Sequence, residues 1–287
     1  MNILKKIAVG IGVLIVALVA IVVVIYFSTT ARMNETYDID VETVDVPSDS
    51  ASMERGRHMV DVLCRHCHGG DLGGSTFFDD PSLGSIPGSN ITSGDGGLAG
   101  YTVIDWIRAI RHGVDKEGKP LMVMPSSDFY YLNNKDLGSI IAYMKTVPPV
   151  DKKWPDPDIT FLGTMLSGLG QLGEVFSVEN IDHDGPRPPI VSEAVSVEYG
   201  EYLVRLFGCR TCHGENLTGG KSPNPAAPPA AGITMGSIMS DWTLEDFIDA
   251  TQTLESEYMP WEGLAVMTKD ELAAIQMYLV SLPGDEE

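Results

Sequence analysis

The chain has 287 residues, 44% of them hydrophobic, and carries 40 acidic against 19 basic residues for a net charge of −21. Such an acidic surface repels a phosphate backbone and excludes nucleic acid as a partner. The length suits two domains of about 100 residues each with linkers, preceded by a short N-terminal segment.

That segment comes first. Lys5 and Lys6 precede an uncharged, proline-free run from Ile7 to Phe27. At about 1.5 Å per residue the run spans roughly 30 Å, the thickness of a bilayer core. A cleaved signal peptide has a shorter apolar stretch, about 7–15 residues, and a small-x-small cleavage site. Ser28-Thr29-Thr30-Ala31 matches such a site poorly. The pattern predicts an uncleaved transmembrane anchor over residues 1–27, with the paired lysines on the cytoplasmic side and everything after Phe27 outside. Residues 28–51 are polar and acidic and read as a tether or surface strap.

Residues 52–150 form the first predicted domain. A short helix through Glu54 to Val60 leads to Cys64-Arg65-His66-Cys67-His68. Cys-x-x-Cys-His is the attachment pattern of c-type haem. Two thiols three residues apart on a helical turn can each add to one vinyl group of the same porphyrin. The His that follows then lies under the iron. The run Gly69-Gly70-Asp71-Leu72-Gly73-Gly74 permits a tight turn against the porphyrin. Thr102 is a good N-cap, with Asp105 three residues on, for a helix whose apolar face carries Ile104, Ile107 and Ile110. A last amphipathic helix, Lys135 to Tyr143, is stopped by Pro148.

Residues 151–193 connect the domains. Between Pro-rich ends, Leu162, Met165, Leu166, Leu169, Leu172 and Phe176 recur at helical spacing. The spacing predicts a helix packed across both haem domains; the alternative is a stripe resting on the membrane or on a partner subunit. Its glycines weaken it as an isolated helix.

Residues 194–287 repeat the first domain. Glu198 to Val204 leads to Cys209-Arg210-Thr211-Cys212-His213, and glycines follow again. Thr243 caps a helix with Asp246 three residues on, and Asp270 to Tyr278 is the last helix, stopped by Pro283. No alternating strand pattern is evident in either repeat. The four cysteines all fall in the two motifs, which leaves no thiol for a disulfide or a nucleophile. A structural zinc site wants its Cys pairs close in sequence, and a thioredoxin-like motif wants a βαβ frame; neither is present.

The open side of each iron needs a second ligand, and Met there raises the potential and closes the site. The candidates are Met122 and Met124 in the first repeat, and Met235, Met239, Met259 and Met267 in the second. Met124-Pro125 lies 24 residues before Pro148, and Met259-Pro260 lies 24 before Pro283. Only this pair keeps register with both last helices, so Met124 and Met259 are chosen, with Met122 as the main rival. His58 and His112 read as surface or packing residues, His66 as turned away from the iron, and His183 as part of the connector.

The arrangement resembles class I cytochrome c twice over. With Gly118-Lys119-Pro120-Leu121, the Met-Pro-Ser run, and Ile181-Asp182-His183 with Pro186-Arg187-Pro188-Pro189, it is similar to a bacterial family of membrane-anchored dihaem cytochromes, from Ser52 to Pro283. The resemblance implies an all-α fold, one N-terminal transmembrane helix followed by two helical haem domains. It implies two covalently attached haem c groups on Cys64, Cys67, Cys209 and Cys212, with His68 and Met124, and His213 and Met259, on the irons. It implies electron transfer on the periplasmic side of the cytoplasmic membrane by a carrier that is not itself an enzyme. Redox proteins or subunits of a respiratory or photosynthetic membrane complex are the partners expected. Cytochrome subunits of periplasmic dehydrogenases, the dihaem subunit of cbb3-type oxidases and quinol-oxidising complexes share this layout. A dihaem peroxidase is the reading from another class, and matching Met-Pro loops argue against it. Ala194 to Glu287 carries 15 acidic and 4 basic residues, against 11 and 9 from Ser52 to Val150. The second domain thus suits a basic redox partner, with Glu245, Asp249, Glu255, Glu257 and Glu262 among the docking charges.

Overall fold

Each half of the chain is organised around two helices that cross at a glycine. The computed structural model describes residues 3–224, 227–256 and 258–284. It opens with α1, Ile3–Met33, the one described helix long and apolar enough to cross a membrane. The first half follows as α2 (Ser50–Leu63), α3 (Arg65–His68), α4 (Val103–His112), α5 (Ser126–Phe129) and α6 (Asn134–Met144). The connector holds α7 (Phe161–Gly168). The second half follows as α8 (Val197–Leu206), α9 (Cys209–His213), α10 (Leu244–Thr253), α11 (Trp261–Ala265) and α12 (Lys269–Ser281).

In the first half α2 packs on α6, and in the second α8 packs on α12. A methyl group at Gly56 would run into the Ser139 carbonyl, and one at Gly200 into the Ala274 carbonyl. The missing side chain lets two backbones touch at matching points of the repeat. Thr102 and Thr243 cap α4 and α10 as expected, each closing a capping box with Asp105 or Asp246. One apolar core joins both halves, with Met59, Ile107, Leu137 and Ile141 from the first and Leu203, Phe247, Leu272 and Ile275 from the second.

Three features depart from the expectations. The fold is mostly helical but carries a small antiparallel sheet in the order β1-β2-β3, from Ser75–Asp80, Gly84–Gly88 and Asp158–Ile159. Its strands are short, β1 is bulged between Thr76 and Phe78, and β2 contains Gly and Pro, so no clean alternation marks them. Secondly, α1 runs six residues past Phe27, because the Ser28, Thr29 and Thr30 hydroxyls bond back to carbonyls one turn earlier and keep the polar end helical. The segment after it is strapped down. Tyr37 donates its amide to the Gly118 carbonyl, while Ile39 and Val44 are buried. Thirdly, the connector helix ends at Gly168 rather than continuing to Phe176, with Gly170 just beyond at φ 67°. It packs on α1 and the β1–β2 turn rather than across both halves: Thr160 donates its amide to Leu83, and Gly163 abuts the Leu83 carbonyl.

Candidate functional site

The Cys64 motif forms one helical turn at the end of α2, so both thiols and the following imidazole point to one side. All four cysteines are unpaired. His68 Nδ1 lies 2.8 Å from the Ser89 carbonyl oxygen. A carbonyl only accepts, so Nδ1 carries the proton and the Nε2 lone pair is left free. In the second half, His213 Nδ1 lies 2.7 Å from the Ala231 carbonyl, with the same consequence. Burial pushes the Cys64 and Cys209 thiols up to about 12, and it lowers the basicity of His68. The neutral imidazole is the form that ligates iron.

The turn after each motif is built alike. Gly69 and Gly214 have φ of 80° and 82°, which only glycine takes at ease. The Gly74 amide returns to the His68 carbonyl at 2.9 Å, and the Gly219 amide to His213 at 2.9 Å. Leu72 and Leu217, both fully buried, stand at φ 61° and 62°. Left-handed leucines are rare, and the same strain at matching positions marks a turn shaped for one purpose twice. Among the described residues no group of three or more His, Cys, Asp or Glu is placed to hold a metal ion. The unpaired thiol pairs and the free Nε2 atoms fit covalent haem.

The two Met-Pro loops share a backbone. Pro125 has φ −79° and ψ 53°, Pro260 φ −77° and ψ 64°, and each starts a short helix. The Ser126 amide bonds the Met124 carbonyl at 2.8 Å, and the Trp261 amide bonds Met259 at 2.8 Å. Met124 and Met259 are half-buried against the main core. Met122 belongs elsewhere: it bridges to Phe176 and packs on the smaller cluster of Ile39, Val114, Val175, Phe176 and Val178. In the second half Met239 and Met267 are buried in the core, while Met235 is exposed.

Sequence reasoning missed several supports. Arg65 and Arg210, each directly after the first cysteine, reach Tyr143 and Tyr278 on the last helix of their halves, at 3.4 and 2.7 Å. Each also donates to a carbonyl of the following turn, Gly70 or Glu215. The repeated Arg and Tyr were visible as a signal. The connector's clamp on the first Met loop was not. Ser177 donates its hydroxyl to the Met124 carbonyl at 2.6 Å, and the Val175 carbonyl accepts the Val123 amide at 2.9 Å.

The two halves meet beside their motifs. α11 touches the end of α2, where Gly263 abuts the Val62 carbonyl, and α5 touches α8, where Asp128 abuts Gly208. His66 shares a cleft of about 540 Å³ with Met259, Pro260 and Glu262. Burial raises the Asp128 carboxyl to about 7, and the charges of Glu174 and Glu215 add to this. Glu245, Asp249, Glu255 and Glu262 are exposed; Glu257 lies outside the described residues.

No family model matches the chain. It is 25% identical over 273 residues to the fructose dehydrogenase cytochrome subunit of Gluconobacter japonicus, covering 82% of this chain and 54% of that protein. It is 26% identical over 278 residues to the cytochrome c subunit of the alcohol dehydrogenase (quinone) of Gluconobacter oxydans, covering 84% and 56%. It is 29% identical over 180 residues to the gluconate 2-dehydrogenase cytochrome c subunit of Pantoea cypripedii, covering 59% and 39%. The chain spans about half the length of the first two relatives. Over more than four fifths of its length the chain is thus similar to cytochrome subunits of dehydrogenases, and its two Cys-x-x-Cys-His turns share one geometry.

Proposed function

We propose that residues 52–150 and 194–287 are two class I cytochrome c-like units, each holding one covalent haem c. Cys64 and Cys67 attach the first, and Cys209 and Cys212 the second, each thiol adding across one vinyl group. His68 and Met124 ligate one iron, His213 and Met259 the other. Each haem supplies an iron that takes up and releases one electron. The chain's residues do the rest. The Ser89 and Ala231 carbonyls hold the imidazoles with Nε2 forward. The Met loops would supply Met124 and Met259 as the second protein ligand of each iron. The α2–α11 and α5–α8 contacts bring each motif to the Met loop of the other half, which suits electron passage between the irons.

Three relatives are named as cytochrome subunits of dehydrogenases. That supports a place beside a membrane dehydrogenase, on the periplasmic side, receiving its electrons and passing them on. The acidic face of the second half suits a basic partner, an attraction screened by salt over about 8 Å at physiological ionic strength. The observation that carries this reading is the doubled geometry of motif, carbonyl-held His and Met-Pro loop. Its test is the mass of the intact chain, expected to exceed the polypeptide by two haem groups. Cys209→Ala with Cys212→Ala is expected to remove one haem and spare the other. A native chain with one haem or none would overturn the reading.

A further inference from the structure

Helix α7 is set at the level where α1 leaves the bilayer. Its first residue, Phe161, packs its ring on Tyr26 at 5.5 Å between centroids. Its last, Gly168, abuts Ile25 and Thr29. Both ends therefore meet one turn of α1, which fixes the depth of α7. If Ile7 to Phe27 fills the hydrocarbon core, that turn is the outer boundary. Aromatic residues gather at that boundary, and Tyr26, Phe27 and Phe161 are grouped there.

The faces of α7 are divided by size. Gly163, Thr164 and Ser167 are buried inward, where small side chains let the helix approach its neighbours. Outward stand Phe161 at 59%, Leu162 at 48% and Leu169 at 52% exposure, continuous with Phe27 at 65%. In a chain of net charge −21, residues 159–173 contain no ionisable side chain. A soluble surface seldom leaves such a patch bare.

We infer that α7 is an interfacial helix, its Phe161 and Leu162 side chains and that of Leu169 just past its end immersed in the outer leaflet. The occupant of this face is lipid, because the patch is continuous with the apolar surface of α1. Single apolar helices lie in this way at the headgroup boundary. With α1 it gives the haem-bearing part a second foothold. Arg32 strengthens the joint: it donates to Glu179 at 2.8 Å and lies over the Phe176 ring at 5.0 Å. The molecule is thereby held at a fixed tilt instead of swinging on one stalk.

The inference rests on α1 spanning the membrane, and the test separates the two. The full chain, with its haems, is placed in lipid nanodiscs carrying a spin label at Leu162→Cys or Leu169→Cys. Reference labels go at Ile15→Cys in α1 and at Lys269→Cys, exposed on α12. Collision with oxygen and with a water-soluble nickel chelate is measured for each. Labels at 162 and 169 are expected to meet oxygen freely and nickel several-fold less often than the label at 269. Equal nickel access at 162, 169 and 269 would overturn the inference and leave the anchor intact. Shielding from both reagents would overturn it in favour of a protein neighbour. A nickel-accessible label at 15 would overturn the anchor, and the inference with it.

Discussion

Met122 and Met124 stand two residues apart, and the fold sends them to different places. Val123 between them has φ 52°, a strained setting for a β-branched residue. The Val175 carbonyl accepts its amide, and the Ser177 hydroxyl donates to the next carbonyl, that of Met124. Met122 packs on the Phe176 cluster, while Met124, like its counterpart Met259, packs on the main core. Met124→His is therefore expected to lower one reduction potential by an appreciable part of the roughly 0.8 V range that axial ligation commands. Met122→Ala should leave both potentials in place, as read by redox titration with optical detection. A drop after Met122→Ala alone would exchange the two assignments. The register with Pro148 and Pro283 made Met124 legible in the sequence. The clamp was not legible, because Ser177 lies 53 residues downstream in a connector with no counterpart in the other half.

At the scale of elements, the sequence was most readable where the chain repeats itself. Thr102 and Thr243 announce α4 and α10 because a capping box is local chemistry. Gly56 and Gly200 gave no such notice. A glycine inside a helix reads as a weakness until its partner helix is seen, and each is the point where two helices touch. Gly56→Ala and Gly200→Ala should each force the helices apart and cost about 1–3 kcal/mol of stability. The midpoint of thermal unfolding checks this, and a neutral result at either would mean the crossing is looser than described. The β1–β2 hairpin was hidden for another reason. Its strands are too short and too irregularly buried to show a period, and it occupies the stretch where the first half is longer than the second.

Taken as a whole, the molecule is joined by a buried polar network that crosses between the halves. Arg55 forms a two-pronged pair with Asp136 of its own half, at 2.9 and 3.0 Å, and reaches Tyr199 at 3.1 Å and Glu271 at 3.2 Å in the other. His58 bonds Glu271 at 2.7 Å, and Tyr202 donates to Asp136 at 2.7 Å. Burial works to raise the Glu271 carboxyl. The His58 bond, the Thr268 amide and the Arg55 charge overcome it and hold the group down at about 2. A carboxyl depressed in the folded state stabilises above its ordinary range, near 4.5, and loses that contribution as pH falls toward 2. The contribution is about 3 kcal/mol at neutral pH. Denaturation of the native chain and of Glu271→Gln should therefore converge as pH drops through this window; a constant gap would mean Glu271 is not held as described. The exchange is reciprocal, since His58 matches Tyr202 and Asp136 matches Glu271 in the repeat. Two identical chains could have met in the same way, but every residue near their axis would then have faced its own copy. Arg55 matches Tyr199, and in such a pair two buried guanidiniums would oppose each other. Joining the copies in one chain lifts that constraint. Each position can then change alone, and the two haems proposed for these like turns would be free to take different potentials, which would give the current between them a direction.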